Sequence, residues 1–232
     1  SADLVCSNAD VVHTYNCLLR NTARGKSYGK ALTKKSHSMS LFVMYFGLKA
    51  QHPDMKHHII LFGQRYKDLI AEIFGKGGEL PDDFSLYLHA PSVTDDSLAP
   101  EGCSAYYVLS PVPHLGHADI DWDVVGPAYQ EKLLDYLEEH AIPNLRRDLD
   151  VVKTLTPFGF RDDMNAHMGS AFSIEPVLTQ SAWFRPHNRD DIISNMYIVG
   201  AGTHPGAGIP GVVGSAKATA AVILGDFKDR LG

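Results

Sequence analysis

The chain has 232 residues, of which 44% are hydrophobic, enough for one large domain or two smaller ones with a buried core. Its net charge of −6 argues against nucleic-acid binding, because phosphate backbones attract basic proteins. Three cysteines without a C-x-x-C spacing predict reduced thiols in a cytosolic setting. No stretch approaches about 18 uncharged apolar residues, so we expect no transmembrane helix.

The first residues predict a buried strand that leads into a helix. Residues 4–6 are apolar, residues 7–10 are turn and helix-cap types, and a helical pattern follows over 11–20. Residues 21–37 are basic and contain glycine, which predicts an exposed connection or mobile loop. Contact of this segment with anionic lipid headgroups is the alternative. The chain opens with Ser-Ala-Asp instead of Met, so we expect its natural amino terminus to lie upstream.

The middle of the chain is rich in aromatic and β-branched residues separated by Gly, Pro and Asp, a composition typical of strands. A short helix is predicted at 66–74, a longer one with an apolar stripe at 123–140, and a further strand at 151–155. Because strands and helices do not alternate strictly, we expect an antiparallel or mixed sheet inserted into a different α/β unit. Four strands are predicted before the long helix: 38–48, 58–62, 84–89 and 103–109.

A glycine-rich stretch near the end of the chain is the most informative segment. A short strand at 196–199 leads into six glycines between Gly200 and Gly214, and an alanine-rich helix follows over 211–228. Glycine lets the backbone come close to a ligand, and a helix start offers free N–H groups and a partial positive charge. We therefore predict a site for an anionic or electron-rich ligand. The alternative is a turn that only lets the helix pack.

Residues 206–211 match the pattern G-x-G-x-x-G literally, but they do not predict the start of a dinucleotide-binding fold. The preceding strand ends near Gly200, too early for the first glycine of the pattern to make the tight turn. Only 21 residues follow Gly211, too few for a βαβ unit with a second strand and its ribose-binding acid. We interpret the stretch as the last strand, turn and helix of a nucleotide-binding domain.

Residues 199–212 (Val-Gly-Ala-Gly-Thr-His-Pro-Gly-Ala-Gly-Ile-Pro-Gly-Val) resemble the carboxy-terminal signature of bacterial-type phytoene desaturases. Shorter stretches extend the resemblance over essentially the whole chain: 5–10, 154–158, 169–172, 180–183 and 184–188. Such carotenoid desaturases resemble amine oxidases in fold.

The resemblance implies an α/β (α+β) fold class and three segments. The chain would be the carboxy-terminal part of an FAD/NAD(P)-binding Rossmann-like domain with an inserted mixed-sheet substrate domain. Residues 1–20 and 156–232 would belong to the FAD domain, and residues 21–155 to the substrate-binding domain. The family's amino-terminal G-x-G-x-x-G, which holds the FAD diphosphate, is absent from this chain.

The resemblance also implies an activity. The protein would be an FAD-dependent oxidoreductase that dehydrogenates phytoene stepwise toward lycopene by hydride transfer to the flavin. A related carotenoid isomerase, a polyene oxidase and a non-catalytic carotenoid- or lipid-binding module are the alternatives. The long apolar polyenes that serve as substrate imply an apolar tunnel and a peripheral position on the cytoplasmic side of a membrane.

The glycine-rich stretch is the cofactor site that the resemblance implies. Its backbone would hold FAD, with Ala201 standing where amine oxidases have a glutamate. Arg185 is a candidate second flavin contact, with a salt bridge to Asp190 as its alternative. His204 and Glu175 are the acid–base candidates, although a histidine in such a turn is more often structural. The expected cofactor-binding residues are Gly200, Ala201, Gly202, Thr203, Gly208, Ile209, Pro210, Gly211 and Val212.

Two further groups of side chains allow more than one interpretation. Four aromatic residues are candidates for the tunnel lining, with ordinary core positions as the alternative; they are Phe158, Phe160, Phe172 and Trp183. Two groups of histidines lack H-E-x-x-H spacing and cysteine partners, so they predict surface histidines and no metal site; they are His52, His57 and His58, and His114 and His117.

Overall fold

The structure, a computed structural model, describes residues 2–74, residue 80 and residues 83–228. The chain forms two units, one of Ser1–Met39 with Phe160–Gly232 and the other of Ser40–Gly159. The second unit is therefore inserted into the first. The boundaries differ from the predicted 20/21 and 155/156, and the first differs most, because residues 21–39 pack with unit 1.

The strands and longer helices expected from the sequence are present, with ends shifted by a few residues. The strands are β1 (Val5–Ser7), β2 (Ser40–Leu48), β3 (His58–Leu61), β4 (Leu86–His89), β5 (Ser104–Val112), β6 (Leu149–Leu155) and β7 (Met196–Ile198). The helices are α1 (Val11–His13), which continues as a π-helix (Thr14–Leu18), α2 (Ala23–Thr33), α3 (Tyr66–Phe74), α4 (Trp122–His140), α5 (Leu145–Asp148), α6 (Pro157–Asp162) and α7 (Ile209–Asp226).

Unit 1 contains a two-stranded parallel sheet. β1 pairs with β7, with Val5 opposite Met196 and Ser7 opposite Ile198. Because the strands are parallel, their carboxyl ends meet at one edge of the sheet, where the chain enters α1 and the glycine-rich turn. The apolar core of this unit forms around them from Val11, Val12, Tyr15, Leu32, Ile174, Met196 and Ile198.

Helix α2 shows that the predicted loop at 21–37 is wrong. The Thr22 side chain caps the helix by accepting a hydrogen bond from the Gly25 N–H at 2.9 Å. Gly25, which argued for a loop, is instead a contact point, because a Cβ there would lie 2.0 Å from the Leu19 carbonyl oxygen. Close packing therefore explains this glycine better than backbone flexibility.

A basic residue of α2 also has a partner far along the chain. Arg24 pairs with the buried carboxylate of Asp190 at 2.8 Å and lies 4.0 Å from the centre of the Tyr28 ring. Tyr15 donates a second hydrogen bond to Asp190 at 2.5 Å. Burial alone would raise the pKa of Asp190, but hydrogen bonds from Tyr15, Arg24 and the backbone hold it below the ordinary value. Long-range contacts thus override the weak local helix signal.

Unit 2 contains a five-stranded sheet in the order β3-β4-β5-β2-β6. Each pair of neighbouring strands is antiparallel, which decides between the antiparallel and mixed arrangements expected. Along β5 every second residue is buried, so one face of the sheet packs and the other stays open. Strand β3 lies at the edge of the sheet.

The buried face of this sheet packs against α4. The helix begins after Asp121, whose side chain accepts a hydrogen bond from the Asp123 N–H at 3.1 Å. Its buried stripe and the sheet form one apolar core that includes Phe42, Met44, Leu88, Val108, Trp122, Tyr129, Leu133 and Leu137.

Two expectations from composition concern the cysteines and membrane-spanning helices in the described part of the chain. Its cysteines, Cys6, Cys17 and Cys103, are free thiols. No helix within the described residues is both long and apolar enough to cross a membrane.

Candidate functional site

The site is built at the carboxyl end of β7. Gly200 follows this strand with φ of 114°, a conformation that strongly favours glycine. A Cβ on Gly200 would also lie 2.8 Å from the Asn8 side-chain oxygen, in the segment that follows β1. The two chain segments therefore approach each other closely only because residue 200 has no side chain.

Gly202 is enclosed in the same way. A Cβ there would lie 2.8 Å from Cγ1 of Val11 and 3.0 Å from the Ser173 hydroxyl. The Ser173 hydroxyl donates a hydrogen bond to Asp10 at 2.9 Å, and Asp10 caps α1 by accepting from the N–H groups of residues 12 and 13. The turn thus rests on the start of α1 through a continuous set of contacts.

A buried polar network fixes the turn to α7. The Ser215 hydroxyl accepts a hydrogen bond from the Gly200 N–H at 3.1 Å and lies 2.8 Å from the Thr203 hydroxyl. The Asn188 amide donates to Ser215 at 3.1 Å and to Thr219 at 2.9 Å. Because all four side chains are buried, their hydrogen bonds hold the backbone of the turn in one conformation.

The same turn leaves backbone N–H groups without an acceptor among the described residues. The N–H groups of Ala201, Gly202 and Gly211 have no acceptor within the described part of the chain. Gly208, the residue before α7, is exposed with φ of 83°, and a Cβ there would meet no atom within 4 Å. The amino end of α7 therefore combines free N–H groups, a partial positive charge and open space in front of the backbone.

Arg185 supports the turn through hydrogen bonds to backbone carbonyl groups. Its buried guanidinium donates to four backbone carbonyl oxygens and forms no salt bridge with Asp190, whose carboxylate binds Tyr15 and Arg24. Burial lowers the pKa of Arg185 from its ordinary value. The accepting carbonyls belong to Ala201 (2.8 Å), Ile174 (2.7 Å), Phe172 (3.1 Å) and Gln180 (3.2 Å).

Known proteins have sequences similar to that of this chain. The chain is 62% identical over 98% of its length to the lycopene-forming phytoene desaturase of Paracoccus sp., and 61% identical over 96% to that of Pantoea ananas. The chain is therefore similar to bacterial phytoene desaturases over nearly its whole length. It spans 45% of the length of each of these relatives.

Two further comparisons concern the fold of the chain. The family described as flavin containing amine oxidoreductase matches residues 111–224. A solved oxidoreductase from Methanosarcina mazei superposes with a TM-score of 0.53, covering 96% of this chain and 43% of that one, at 14% identity. The amine-oxidase-like α/β fold class expected from the sequence is thereby confirmed, with FAD as the cofactor typical of these flavoproteins.

The structure places the two predicted acid–base candidates, His204 and Glu175, in different surroundings. His204 donates its backbone N–H to the Pro186 carbonyl at 2.9 Å, and the residue lines a surface pocket together with Trp183 and His187. Glu175 is half-buried, and its backbone N–H donates to the Ser36 carbonyl at 2.9 Å. Neither contact marks a catalytic group, so both remain predictions, as does the set of cofactor-binding residues.

The four aromatic candidates for the tunnel lining have different environments. Phe158 packs against the core of unit 2. In unit 1, Phe160 is buried and Phe172 is half-buried, whereas Trp183 is 71% exposed. The core alternative therefore fits Phe158 and Phe160, and a contact surface fits Trp183.

The sequence did not point to several residues of the site. Asn188, Ser215 and Thr219 escaped notice because their contacts join segments far apart in the chain. A signal for two of them was present, since Ser215 and Thr219 are four residues apart in an otherwise apolar helix and so share one face. Of the histidines expected at the surface, His114 is instead buried and stacks on His117.

Proposed function

We propose that the complete protein carrying this chain is an FAD-dependent carotenoid desaturase that converts phytoene stepwise toward lycopene. Its relatives in Paracoccus sp. and Pantoea ananas are lycopene-forming phytoene desaturases. The observation that carries the proposal is the set of free N–H groups at the glycine-rich turn, held rigid by the Asn188 network.

The residues of the turn fit a flavin cofactor. We assign the free donors of Ala201 and Gly202 to the ribityl and isoalloxazine portion, with Gly200 and Thr203 completing that wall. The amino end of α7, from Gly208 to Val212, would face the electron-rich edge of the ring. When bound, the flavin supplies a two-electron oxidation, taking a hydride from one substrate carbon while a proton leaves its neighbour.

The protein's part in this reaction is electrostatic and positional. The partial positive charge at the start of α7 stabilises negative charge on a ligand placed before it. Arg185 fixes the Ala201 carbonyl, and Ser215 fixes the Gly200 N–H, so the free donors do not have to reorganise on binding. We therefore assign Arg185 and Ser215 a positioning role.

We assign unit 1 to the FAD domain and unit 2 to the substrate domain. An apolar hydrocarbon offers no hydrogen-bonding groups, so its recognition depends on apolar surface. Unit 2 carries a mostly apolar groove of about 500 Å³ on the open side of its sheet, with Tyr45, Tyr107, Leu98 and Val151 in its lining. This groove is our candidate for part of the polyene site.

A peripheral position on the cytoplasmic side of a membrane belongs to the same proposal, because carotenes dissolve in lipid. Two exposed features support it. Lys26 and Lys30 are exposed on α2 and Lys34 directly after it, and Trp183 and Leu178 are 71% and 91% exposed. Basic and aromatic side chains are the types that contact lipid headgroups.

The test is product analysis with the complete protein. It is incubated with FAD, phytoene in liposomes and an electron acceptor, and the carotenes are separated by chromatography. We expect products with additional conjugated double bonds. Geometric isomers alone would favour an isomerase, oxygenated products a polyene oxidase, and unchanged phytoene a binding module; each of these would contradict the proposal.

A further inference from the structure

Three histidines converge at the edge of the sheet in unit 2. His58 in β3 lies directly opposite His89 in β4, and His57 immediately precedes β3. One ring nitrogen from each histidine lies within 4.8 Å of the other two. The group was not evident from the sequence, because β4 brings His89 to a pair of residues more than thirty positions away.

The backbone positions of these histidines are fixed. His58 and His89 are cross-strand partners, and the His57 carbonyl accepts a hydrogen bond from the Ala90 N–H at 2.9 Å. The rings of His57 and His89 have centres 4.6 Å apart, and those of His58 and His89 are 5.2 Å apart and nearly parallel. The cluster thus rests on paired strands, which hold side chains more firmly than a loop does.

Two of the rings are oriented through their Nδ1 atoms. Nδ1 of His57 lies 2.5 Å from the Thr94 hydroxyl, which itself donates to the Pro91 carbonyl. The Thr94 oxygen therefore accepts from His57, and this leaves a lone pair on Nε2 of His57. Nδ1 of His58 lies 2.7 Å from the Tyr87 hydroxyl. Ligand histidines are commonly held in this way through the ring nitrogen that does not bind the metal.

The facing nitrogens need a cation or a proton between them. Nε2 of His57 lies 2.6 Å from Nε2 of His89, and two lone pairs at that distance repel. A neutral imidazole is the form that binds metal ions.

We propose that His57, His58 and His89 form a binding site for a divalent transition-metal ion of the zinc class. Three imidazoles without cysteine or carboxylate ligands suit Zn²⁺, Ni²⁺ or Cu²⁺ better than Mg²⁺ or Ca²⁺. Binding of one ion at about 2.0–2.1 Å from each nitrogen requires the Nε2 atoms of His57 and His89, 2.6 Å apart, to separate. Half-exposed His57 and exposed His58 leave a further position open to solvent.

The ion would join edge strand β3 to β4. An edge strand has hydrogen-bond partners on one side only, so a metal cross-link there stabilises the part of the sheet that opens most easily. Binding to the folded state alone raises the free energy of unfolding in proportion to the logarithm of the free metal concentration.

The test uses the complete protein, purified without a histidine tag and dialysed against chelator. Zn²⁺ is titrated calorimetrically, and thermal unfolding is recorded with and without Zn²⁺. The variants are His58→Gln and His89→Gln, and His140→Gln is the matched control in the same unit, an exposed histidine outside the cluster. Thermal unfolding recorded without metal identifies any variant that fails to fold. Of the two substituted histidines, His58 is the more exposed, so His58→Gln should disturb the fold less than His89→Gln.

We expect one Zn²⁺ per chain for the wild type and the control, with a higher unfolding temperature when Zn²⁺ is present. Each cluster variant should bind at least about tenfold more weakly and lose the shift in unfolding temperature. The proposal is overturned if the wild type binds no Zn²⁺, because the close nitrogen pair then shares a proton. Equal binding by His58→Gln and the control would also overturn it.

Discussion

The glycines of the turn are required for two different reasons. Gly200 and Gly208 have positive φ, so the backbone conformation favours glycine there. Gly202 has no such conformation to explain it, but its surroundings leave no room for a Cβ. The sequence predicted the glycine-rich turn because glycine is a local signal, yet it did not separate these two reasons.

Gly202→Ala should destabilise the fold. The new methyl group would meet Val11 and Ser173 at 2.8 and 3.0 Å, and such overpacking costs about 1–3 kcal/mol. Gly225→Ala is the control, because a Cβ there meets no atom within 4 Å and alanine favours helix α7. Urea unfolding measures both variants. Equal stability of the two would contradict the crowding inferred at Gly202.

His37 should make stability depend on pH. Its ring is buried in unit 1 near His167, and burial first, then this neighbour, lowers the pKa of His37 to about 4. In the unfolded chain the group takes up its proton at about 6.5, so between these pH values the unfolded state binds more protons. The free energy of unfolding therefore falls as the pH is lowered from about 6.5 to 4.

His37→Gln should remove up to about 3 kcal/mol of this pH dependence. Urea unfolding of the wild type and the variant is measured across that range, with His140→Gln as an exposed control. The difference in stability between wild type and His37→Gln should change with pH, whereas the control should follow the wild type. A constant difference would mean that His37 is protonated equally in both states.

Helix α2 is the element that local reasoning missed. Its two internal glycines and its lysines are typical of loops, and the reasons for its helical structure lie elsewhere in the chain. Gly25 packs against the residues before it, and Arg24 binds Asp190, which is 166 residues away. By contrast, β5 and α4 were predictable, because their alternating and helical apolar patterns are local signals.

Removing the cap of α2 should test its contribution. Thr22→Ala deletes the hydroxyl that accepts from the Gly25 N–H, and loss of such a cap costs about 0.5–2 kcal/mol. Ser27→Ala is the control within the helix, because Ser27 is exposed and alanine is the better helix former. Circular dichroism during urea unfolding should show the loss only for Thr22→Ala. An unchanged Thr22→Ala variant would show that tertiary contacts alone hold the helix.

At the scale of the whole molecule, the chain divides into two units, and the boundary predicted at 20/21 falls within unit 1. The antiparallel sheet differs from the parallel β1–β7 pair, and this contrast is visible in the strand pattern. Residues 21–39 pack with unit 1 through contacts between residues far apart in the sequence, such as the ion pair of Arg24 with Asp190. No local sequence pattern indicates such contacts. The Asn188 network was unpredictable for the same reason.

The exposed lysines of α2 should contribute to membrane binding. Lys26→Gln with Lys30→Gln removes two charges, each worth about 1 kcal/mol near an anionic surface, so partition onto anionic vesicles should fall about 30-fold. Lys56→Gln with Lys67→Gln is the matched control on the other unit, with both residues exposed. Sedimentation with phosphatidylglycerol vesicles measures the change. Equal loss in both double variants would indicate a general charge effect and contradict a specific surface on α2.

The central claim is that the glycine-rich turn binds FAD, and an absorption spectrum tests it most directly. The complete protein is incubated with FAD and desalted, together with Ser215→Ala and the control Gly225→Ala. We predict a retained flavin band for the wild type and the control, and a weaker one for Ser215→Ala, whose hydroxyl holds the Gly200 N–H. A folded wild-type protein without retained flavin, or an undiminished band in Ser215→Ala, would contradict the account.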